Sequence, residues 1–182
     1  MNVEASVFRD TLGRFASGVV VVAGIDAAGP AGLTCQSFCS VSLDPPLVAV
    51  SPSLRSASWR RIEATGAFAV SVLAAHQRQL CLTFGQGGQA DKFASAGWDP
   101  APSGAPYIRD AVAWLDCAIV AVHPAGDHLM VLGEVRHLAA RDDDPLLFHR
   151  GGYGTFSPRV LADVPANDEV WGPGPWQEGV DW

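Results

Sequence analysis

Short apolar runs separated by glycine- and proline-rich turns dominate this chain. Val19–Val22 is a β-branched run, which is typical of a buried strand, and Leu47–Val50 and Ala67–Leu73 predict two more strands. The clearest predicted hairpin joins Ala111–Val122 to Leu129–Ala139 through a turn that contains Pro, Gly and Asp. Strands and tight turns therefore form the framework of the predicted fold.

Helical spacing of apolar residues recurs in only three short segments. The first predicts an amphipathic helix of about three turns that begins near Val7 and is capped by Gly18. The second ends before Gly66, and the third covers residues 76–84. Because no alternation of strands with longer helices occurs, the pattern predicts an all-β barrel with small helices attached.

Composition fits one domain and excludes two classes of protein. The 182 residues are 48% hydrophobic, which is enough to bury a core. The formal net charge is −7 and only 12 residues are Lys or Arg, so no basic face for nucleic acid is expected. No apolar run approaches the ~20 residues of a membrane-spanning helix, so we expect no membrane association.

The four cysteines favour a reducing compartment. They form no C-x-x-C pair, and we expect them to be reduced thiols packed in a cytoplasmic protein. Residues 1–4 lack the basic and apolar regions of a signal peptide, which is consistent with a cytoplasmic location. The four are Cys35, Cys39, Cys81 and Cys117.

The last segment of the chain differs from the rest. Residues 160–182 carry five Asp or Glu and no Lys or Arg, and three tryptophans lie there among prolines. We therefore divide the chain into a domain over residues 1–157 and an acidic Trp- and Pro-rich arm over residues 158–182. The arm either lies across its own domain or a partner subunit, or forms a disordered or partner-binding tail.

Motifs for nucleophilic, phosphate-loop or zinc-protease chemistry are absent from the sequence. His123 and His137 could face each other across the long hairpin, but no carboxylate accompanies them, so no metal site is expected. What remains is a set of polar residues at breaks between apolar strands. Thr34, Gln36 and Ser37 form one group, and Ser51, Ser53, Ser56 and Ser58 form another.

Each polar candidate has a structural interpretation beside a functional one. The serines either cap the second helix or help to bind an anion at its start. Lys92 is the only lysine and either lies solvated at the surface or holds a phosphate, with Phe93 as a wall for a flat ligand. His128 and Tyr153 belong either to ordinary turns or to the rim of a ligand site.

The order of these motifs resembles the flavin reductase-like, split-barrel FMN-binding family. The resemblance covers roughly residues 7–155 and consists of an opening block and seven further blocks with family-like spacing. The blocks are Phe8–Val19, Gly32–Phe38, Ser40–Val48, Phe68–Leu73, Asp91–Phe93, Ala113–Cys117, Gly126–His128 and Gly133–Val135.

The resemblance implies a split six-stranded antiparallel β-barrel, usually a homodimer with flavin at the subunit interface. It also implies roles for individual residues, with His128 as the one catalytic candidate that positions nicotinamide or the flavin edge. Tyr153 matches an aromatic residue near the pyridine nucleotide. The implied cofactor-binding set is Thr34, Cys35, Gln36, Ser37, Ser51, Ser53, Ser56, Phe84, Lys92, Phe93, His128 and Tyr153.

This sequence departs from the family pattern at three of these positions. The family often has Asn where Gln36 stands, Cys where Ser51 stands and Asp where Ser53 stands. These differences leave the choice between FMN and FAD open.

The implied function is an NAD(P)H:flavin oxidoreductase that supplies reduced FMN or FAD to a partner flavin-dependent monooxygenase. NADH or NADPH would be the co-substrate. Three alternatives remain open. The first is a protein of the same fold whose bound flavin reduces a corrinoid or quinone. The second is a flavin-binding module with little turnover, and the third is a reductase of an antibiotic pathway whose Trp-rich arm covers the site.

Overall fold

A computed structural model describes residues 3–86 and 92–157. It contains three α-helices, α1 (Ala5–Leu12), α2 (Ala57–Glu63) and α3 (Arg78–Gly85), and a 3-10 turn at Ala75–Gln77 before α3. The described strands are β1 (Ser17–Gly18), β2 (Val20–Asp26), β3 (Gly29–Cys35), β4 (Cys39–Leu43), β5 (Pro46–Val50), β6 (Ala67–Val72), β7 (Trp98–Pro100), β8 (Pro106–Ile108), β9 (Ala113–Ala125), β10 (His128–Ala140), β11 (Leu147–His149) and β12 (Gly152–Gly154).

The main sheet is antiparallel and open, in the order β3-β2-β6-β9-β10-β5-β4. Its two edge strands, β3 and β4, do not pair with each other, which is the arrangement expected of a split barrel. The all-β prediction is therefore confirmed. The sheet has seven described strands, and its edge strand β4 pairs with β5 across the turn at Asp44–Pro45.

Strand β2 is buried on both faces, and this explains its unbroken valine sequence. Val20 and Val22 belong to one hydrophobic cluster, whereas Val19, Val21 and Ala23 belong to a second cluster on the opposite face. Successive side chains of a strand point to opposite faces, so a strand buried on both sides is apolar at every position.

Each small helix covers one of these clusters. Trp59 and Ile62 of α2 pack into the first cluster, and Cys81 and Phe84 of α3 pack into the second. The two helices therefore lie on opposite faces of the same part of the sheet. Space remains between them at the end of β3, where the sheet edge is open.

The long hairpin is present and reaches further than the apolar pattern predicts. Its arms, β9 and β10, have 13 residues each and meet at a turn in which Gly126 has a φ of +66°. That backbone conformation favours glycine. The register places His123 opposite Met130 and His137 opposite Asp116, so the expectation that the two histidines could face each other is wrong.

The first helix is shorter than its apolar spacing predicts. It ends at Leu12 rather than near Gly18, because Ser17 and Gly18 pair as β1 with β11 and so leave the helical conformation. No residue of α1 is buried, and Val7, Phe8 and Leu12 are each more than half exposed. The predicted apolar face therefore exists but has no partner within the described chain.

Three further features correct the sequence-based expectations. The proline-rich segment forms the β7–β8 hairpin, which the apolar pattern does not predict and which is tied to the sheet by a hydrogen bond from the Ser103 N–H to Asp116. After β11 the chain adds a short strand, β12, which the pattern does not predict either. All four cysteines are free, but Cys39 is exposed on edge strand β4 rather than packed inside.

Within residues 3–86 and 92–157 no helix has the length and hydropathy needed to cross a bilayer. The same residues contain no group of three His, Cys, Asp or Glu side chains placed to hold a metal ion. The predicted acidic arm lies outside the described residues.

Candidate active site

One cleft of about 950 Å³ opens between α2, α3 and the tip of the long hairpin. Eleven of the twelve predicted site residues line it, although they come from six separate parts of the sequence. They are Thr34, Cys35, Gln36, Ser37, Ser51, Ser53, Ser56, Phe84, Lys92, His128 and Tyr153.

The twelfth residue, Phe93, lies behind the wall of the cleft. Its side chain is 5% exposed and meets the ring of Phe84 edge to face, with the ring centroids 4.8 Å apart. Gly32 makes this packing possible, since a Cβ there would lie 2.7 Å from Cε1 of Phe84. Phe93 therefore supports Phe84 from behind instead of facing the cleft.

Polar groups at the ends of β3 and β5 form one side of the cleft. Ser37, which follows β3, accepts a hydrogen bond from the N–H of Ser51, which follows β5, at 2.9 Å. The Ser37 hydroxyl also lies 2.8 Å from Sγ of Cys35. These contacts hold the two strand ends together, so the polar segments after them share one surface.

The serines after β5 mainly shape the turn into α2. Ser56 is the N-cap of α2, and its hydroxyl accepts the N–H of Trp59 at 3.1 Å. Ser53 accepts the N–H of Arg55 at 3.2 Å, whereas Ser58 lies within the helix. The capping interpretation is thus confirmed for Ser56. A hydroxyl that accepts in this way still has a proton to donate to a ligand.

The tip of the long hairpin is joined to the segment between β5 and α2 that contains Ser51, Ser53 and Ser56, which we call the serine turn. Leu54 donates to the carbonyl of Asp127 at 3.1 Å, and Ser53 and His128 form an isolated antiparallel bridge. The His128 Nδ1 lies 2.7 Å from a carboxylate oxygen of Asp127, and this hydrogen bond lowers the pKa of Asp127. With Nδ1 engaged, Nε2 is the ring nitrogen left to meet a ligand.

Lys92 is half-buried, so it is not a solvated surface lysine. Its ammonium donates to the carbonyl oxygens of Phe84 at 2.9 Å and Gly32 at 3.4 Å. Burial lowers the pKa of the ammonium. Lys92 therefore joins the C-terminal end of α3 to β3, and it places a positive charge at the cleft.

Tyr153 closes the cleft on the side of α3. Its hydroxyl lies 3.4 Å from Sγ of Cys81, and its ring packs against Phe148 with the centroids 5.2 Å apart. The guanidinium carbon of Arg78 lies 5.3 Å from the ring centroid, a distance typical of a cation–π contact. The ring is thus held on three sides.

Sequence reasoning missed the arginines around the cleft. Arg55 and Arg61 line it, and Arg61 is paired with Asp26 in a two-point contact. In contrast, Arg55, Arg78 and Lys92 form no ion pair with a carboxylate of the described chain. Nothing in the sequence separates these arginines from paired ones, because the pairing depends on the fold.

Comparison with known proteins gives one consistent result. A family model described as a flavin reductase like domain matches residues 12–157. The reductase subunit HsaB of a flavin-dependent monooxygenase from Rhodococcus jostii is 41% identical over 164 residues, which cover 90% of this chain and 84% of that protein. The FMN reductase (NADH) SmoA of Agrobacterium fabrum is 43% identical over 150 residues, covering 82% and 85%.

A solved structure agrees with these relatives. It is the Streptomyces globisporus NADH:FAD oxidoreductase SgcE6 in complex with NAD and FAD fragments. Its TM-score to this chain is 0.81 at 37% identity, and the match covers 88% of this chain and 96% of that one.

The contact between Cys81 and Tyr153 predicts an unusual phenol titration. The hydrogen bond with Cys81, together with burial, raises the pKa of Tyr153 to about 12. The neutral phenol is favoured in the fold, so its stabilising contribution is present below about pH 10 and is lost as the pH rises through about 12. Tyrosinate absorbance should show this late titration in the wild type and lose it in Tyr153→Phe.

The Cys81→Ala variant tests the cause of that shift. Removal of the thiol should move the Tyr153 titration toward the ordinary value of about 10. An unchanged Tyr153 titration in Cys81→Ala would show that the thiol does not hold the phenol.

Proposed function

The chain belongs to the flavin reductase-like family, and from that membership we propose that it oxidises NADH and reduces FMN or FAD. A flavin held in the cleft would supply the redox chemistry, since its ring can take up hydride from a nicotinamide. The protein then needs no nucleophile or acid–base pair for that transfer.

One observation carries the proposal. In an acidic chain of net charge −7, Arg55 and Lys92 line this cleft without an ion-pair partner among the described residues, whereas five of the described arginines are paired with carboxylates. Arg9, Arg60 and Arg150 are also unpaired there, but they do not line the cleft. A cleft of about 950 Å³ lies within the ~300–1,000 Å³ usual for small-molecule sites. Both charge and size therefore suit a flat ligand with a phosphate group.

The two sides of the cleft suit the two parts of a flavin. Apolar Leu33 and Phe84 can contact the face of the ring, and the segment from Thr34 to Ser37 offers backbone and side-chain groups to its polar edge. Preorganised N–H groups near the flavin N1 would stabilise the negative charge that develops there on reduction.

The serine turn and the cations suit the rest of the flavin. The hydroxyls of Ser51, Ser53 and Ser56 can bind the ribityl chain, and Lys92 and Arg55 can bind phosphate. The fit is chemical: hydroxyl donors and cations occur together, and no carboxylate lines the cleft among the described residues.

His128 and Tyr153 are the proposed contacts of the pyridine nucleotide. His128 Nε2 can bond to the carboxamide or ring edge of nicotinamide, because Nδ1 is already held by Asp127. The protein's contribution to the rate is to hold two flat rings in contact and exclude water between them. NADH is preferred over NADPH in this proposal, since relatives at about 40% identity include an FMN reductase (NADH).

The reduced flavin would pass to a partner flavin-dependent monooxygenase. The support is that relatives covering most of this chain are named as reductase subunits of such enzymes. We further propose a homodimer in the cytoplasm. The exposed apolar face of α1, on which Phe8 is 55% exposed, and the nearby Phe15, which is 80% exposed, support a second copy as their cover.

The first test is NADH consumption by the purified chain at increasing concentrations of added FMN or FAD. The proposal predicts that the rate rises with added flavin until saturation, because flavin is then a substrate that leaves after each turnover. A protein that is yellow as purified, and whose rate of NADH oxidation or corrinoid reduction does not change with added flavin, would instead support the alternative of a tightly bound flavin. A protein that binds flavin without consuming NADH would be a binding module and would contradict the proposal.

A second prediction separates the phosphate role of Lys92 from its structural role. Lys92→Ala should weaken FMN binding by roughly 1–3 kcal/mol, because a charge-assisted contact to phosphate is lost. Riboflavin, which has no phosphate, should bind both proteins alike. Arg136→Ala is the control, since Arg136 is an exposed arginine of β10 that does not line the cleft.

Equal losses for FMN and riboflavin would contradict the phosphate role. That result would mean that Lys92 acts only by joining Phe84 and Gly32, so that its removal disturbs the ring-binding wall.

A further inference from the structure

Arg78 lies beside Tyr153 although no carboxylate of the described chain pairs with it. Arg78 is exposed and makes no ion pair with any described carboxylate, yet its guanidinium lies over the Tyr153 ring. Tyr153 and Cys81 both line the cleft, and Cys81 follows Arg78 by one helical turn. Arg78 is therefore an unpaired cation at the edge of the cleft.

Arg78 and Lys92 lie at opposite ends of α3. Arg78 is the first residue of the helix, whereas the Lys92 ammonium is bonded to the carbonyl of Phe84 near its C-terminal end. Six residues of α-helix span roughly 9 Å, at about 1.5 Å per residue. The Arg78 guanidinium lies over the Tyr153 ring, whereas the Lys92 ammonium lies at the other end of the helix, so the cleft has a positive charge beside each end of α3.

The two positions also differ in chemistry. The Lys92 ammonium already donates hydrogen bonds to two backbone carbonyls, and burial lowers its pKa. Arg78 has no described hydrogen-bond acceptor, and a guanidinium presents a planar set of donors that matches two phosphate oxygens at once. Arg78 is thus the better site for a diphosphate with two neighbouring charges.

We infer that Arg78, held against the Tyr153 ring, binds the diphosphate of the pyridine nucleotide at the edge of the cleft. This inference rests on the proposed function and assigns a specificity-determining residue for the electron donor. The nicotinamide ring must enter the cleft to meet the flavin, so the diphosphate and adenosine of the donor extend toward its edge. An unpaired arginine beside an aromatic ring suits that part of the molecule.

A pair of electron donors tests the inference. Reduced nicotinamide riboside carries the same ring as NADH but lacks the diphosphate and adenosine. With FMN as acceptor, Arg78→Gln should lower kcat/KM for NADH by about 10- to 100-fold, mainly through KM, because a charge-assisted contact is lost. The kcat/KM for the riboside should stay within about two-fold of the wild type.

Two further variants separate charge from packing. Arg78→Lys keeps the positive charge, so it should retain part of the NADH activity that Arg78→Gln loses. The lysine ammonium still attracts the diphosphate, although it cannot donate two parallel hydrogen bonds as a guanidinium does. Arg9→Ala removes another exposed arginine that forms no described ion pair and lies outside the cleft, and it should leave both donors unaffected.

The outcomes distinguish this inference from the proposed function. Equal losses with NADH and the riboside in Arg78→Gln would overturn it, because Arg78 would then act only by packing on Tyr153. A raised KM for FAD with an unchanged KM for NADH would also overturn it, by assigning Arg78 to the flavin diphosphate. If the wild type oxidises neither donor, the proposed function fails, and the inference fails with it.

Discussion

Burial of β2 on both faces is the constraint on which the rest of the structure depends. The buried part of β2, Val20–Ala23, is apolar at every position and needs cover on each side, and α2 and α3 supply it from opposite faces of the sheet. Because one sheet edge ends at β3 without a further strand, the two helices leave a cleft between them. The site is therefore a consequence of how the core is covered.

Electrostatics then decide what this cleft can hold. The chain is acidic, and five of its described arginines are neutralised by nearby carboxylates. Arg55, Arg78 and Lys92 are exceptions, and all lie at or beside the cleft. Local positive charge in an acidic protein attracts phosphate without making the whole surface bind polyanions. The catalytic power of such a site lies in placing two flat molecules in contact rather than in a reactive side chain.

Local pattern was enough to predict the parts of the fold that local physics controls. The valine run of β2, the long β9–β10 hairpin and the Ser56 cap each follow from side-chain type and spacing. The short strands β4 and β12 were missed because each has only three to five residues, too few to show an alternating apolar pattern, although each pairs with its neighbour in sequence. The length of α1 was overestimated for a different reason, since the pairing of Ser17 with the distant Phe148 takes residues out of the helix.

The candidate site divides in the same way. Its polar residues at strand ends, and Lys92, were found from sequence and resemblance, whereas Arg55 and Arg78 were not, because only the fold leaves them unpaired.

The central claim is that one cleft holds the flavin, and a crystal structure of the chain with FMN tests it most directly. We expect the ring between Phe84 and the Thr34–Ser37 segment, with the phosphate toward Lys92 and Arg55. A ring bound at another surface, with this cleft unfilled, would contradict the account.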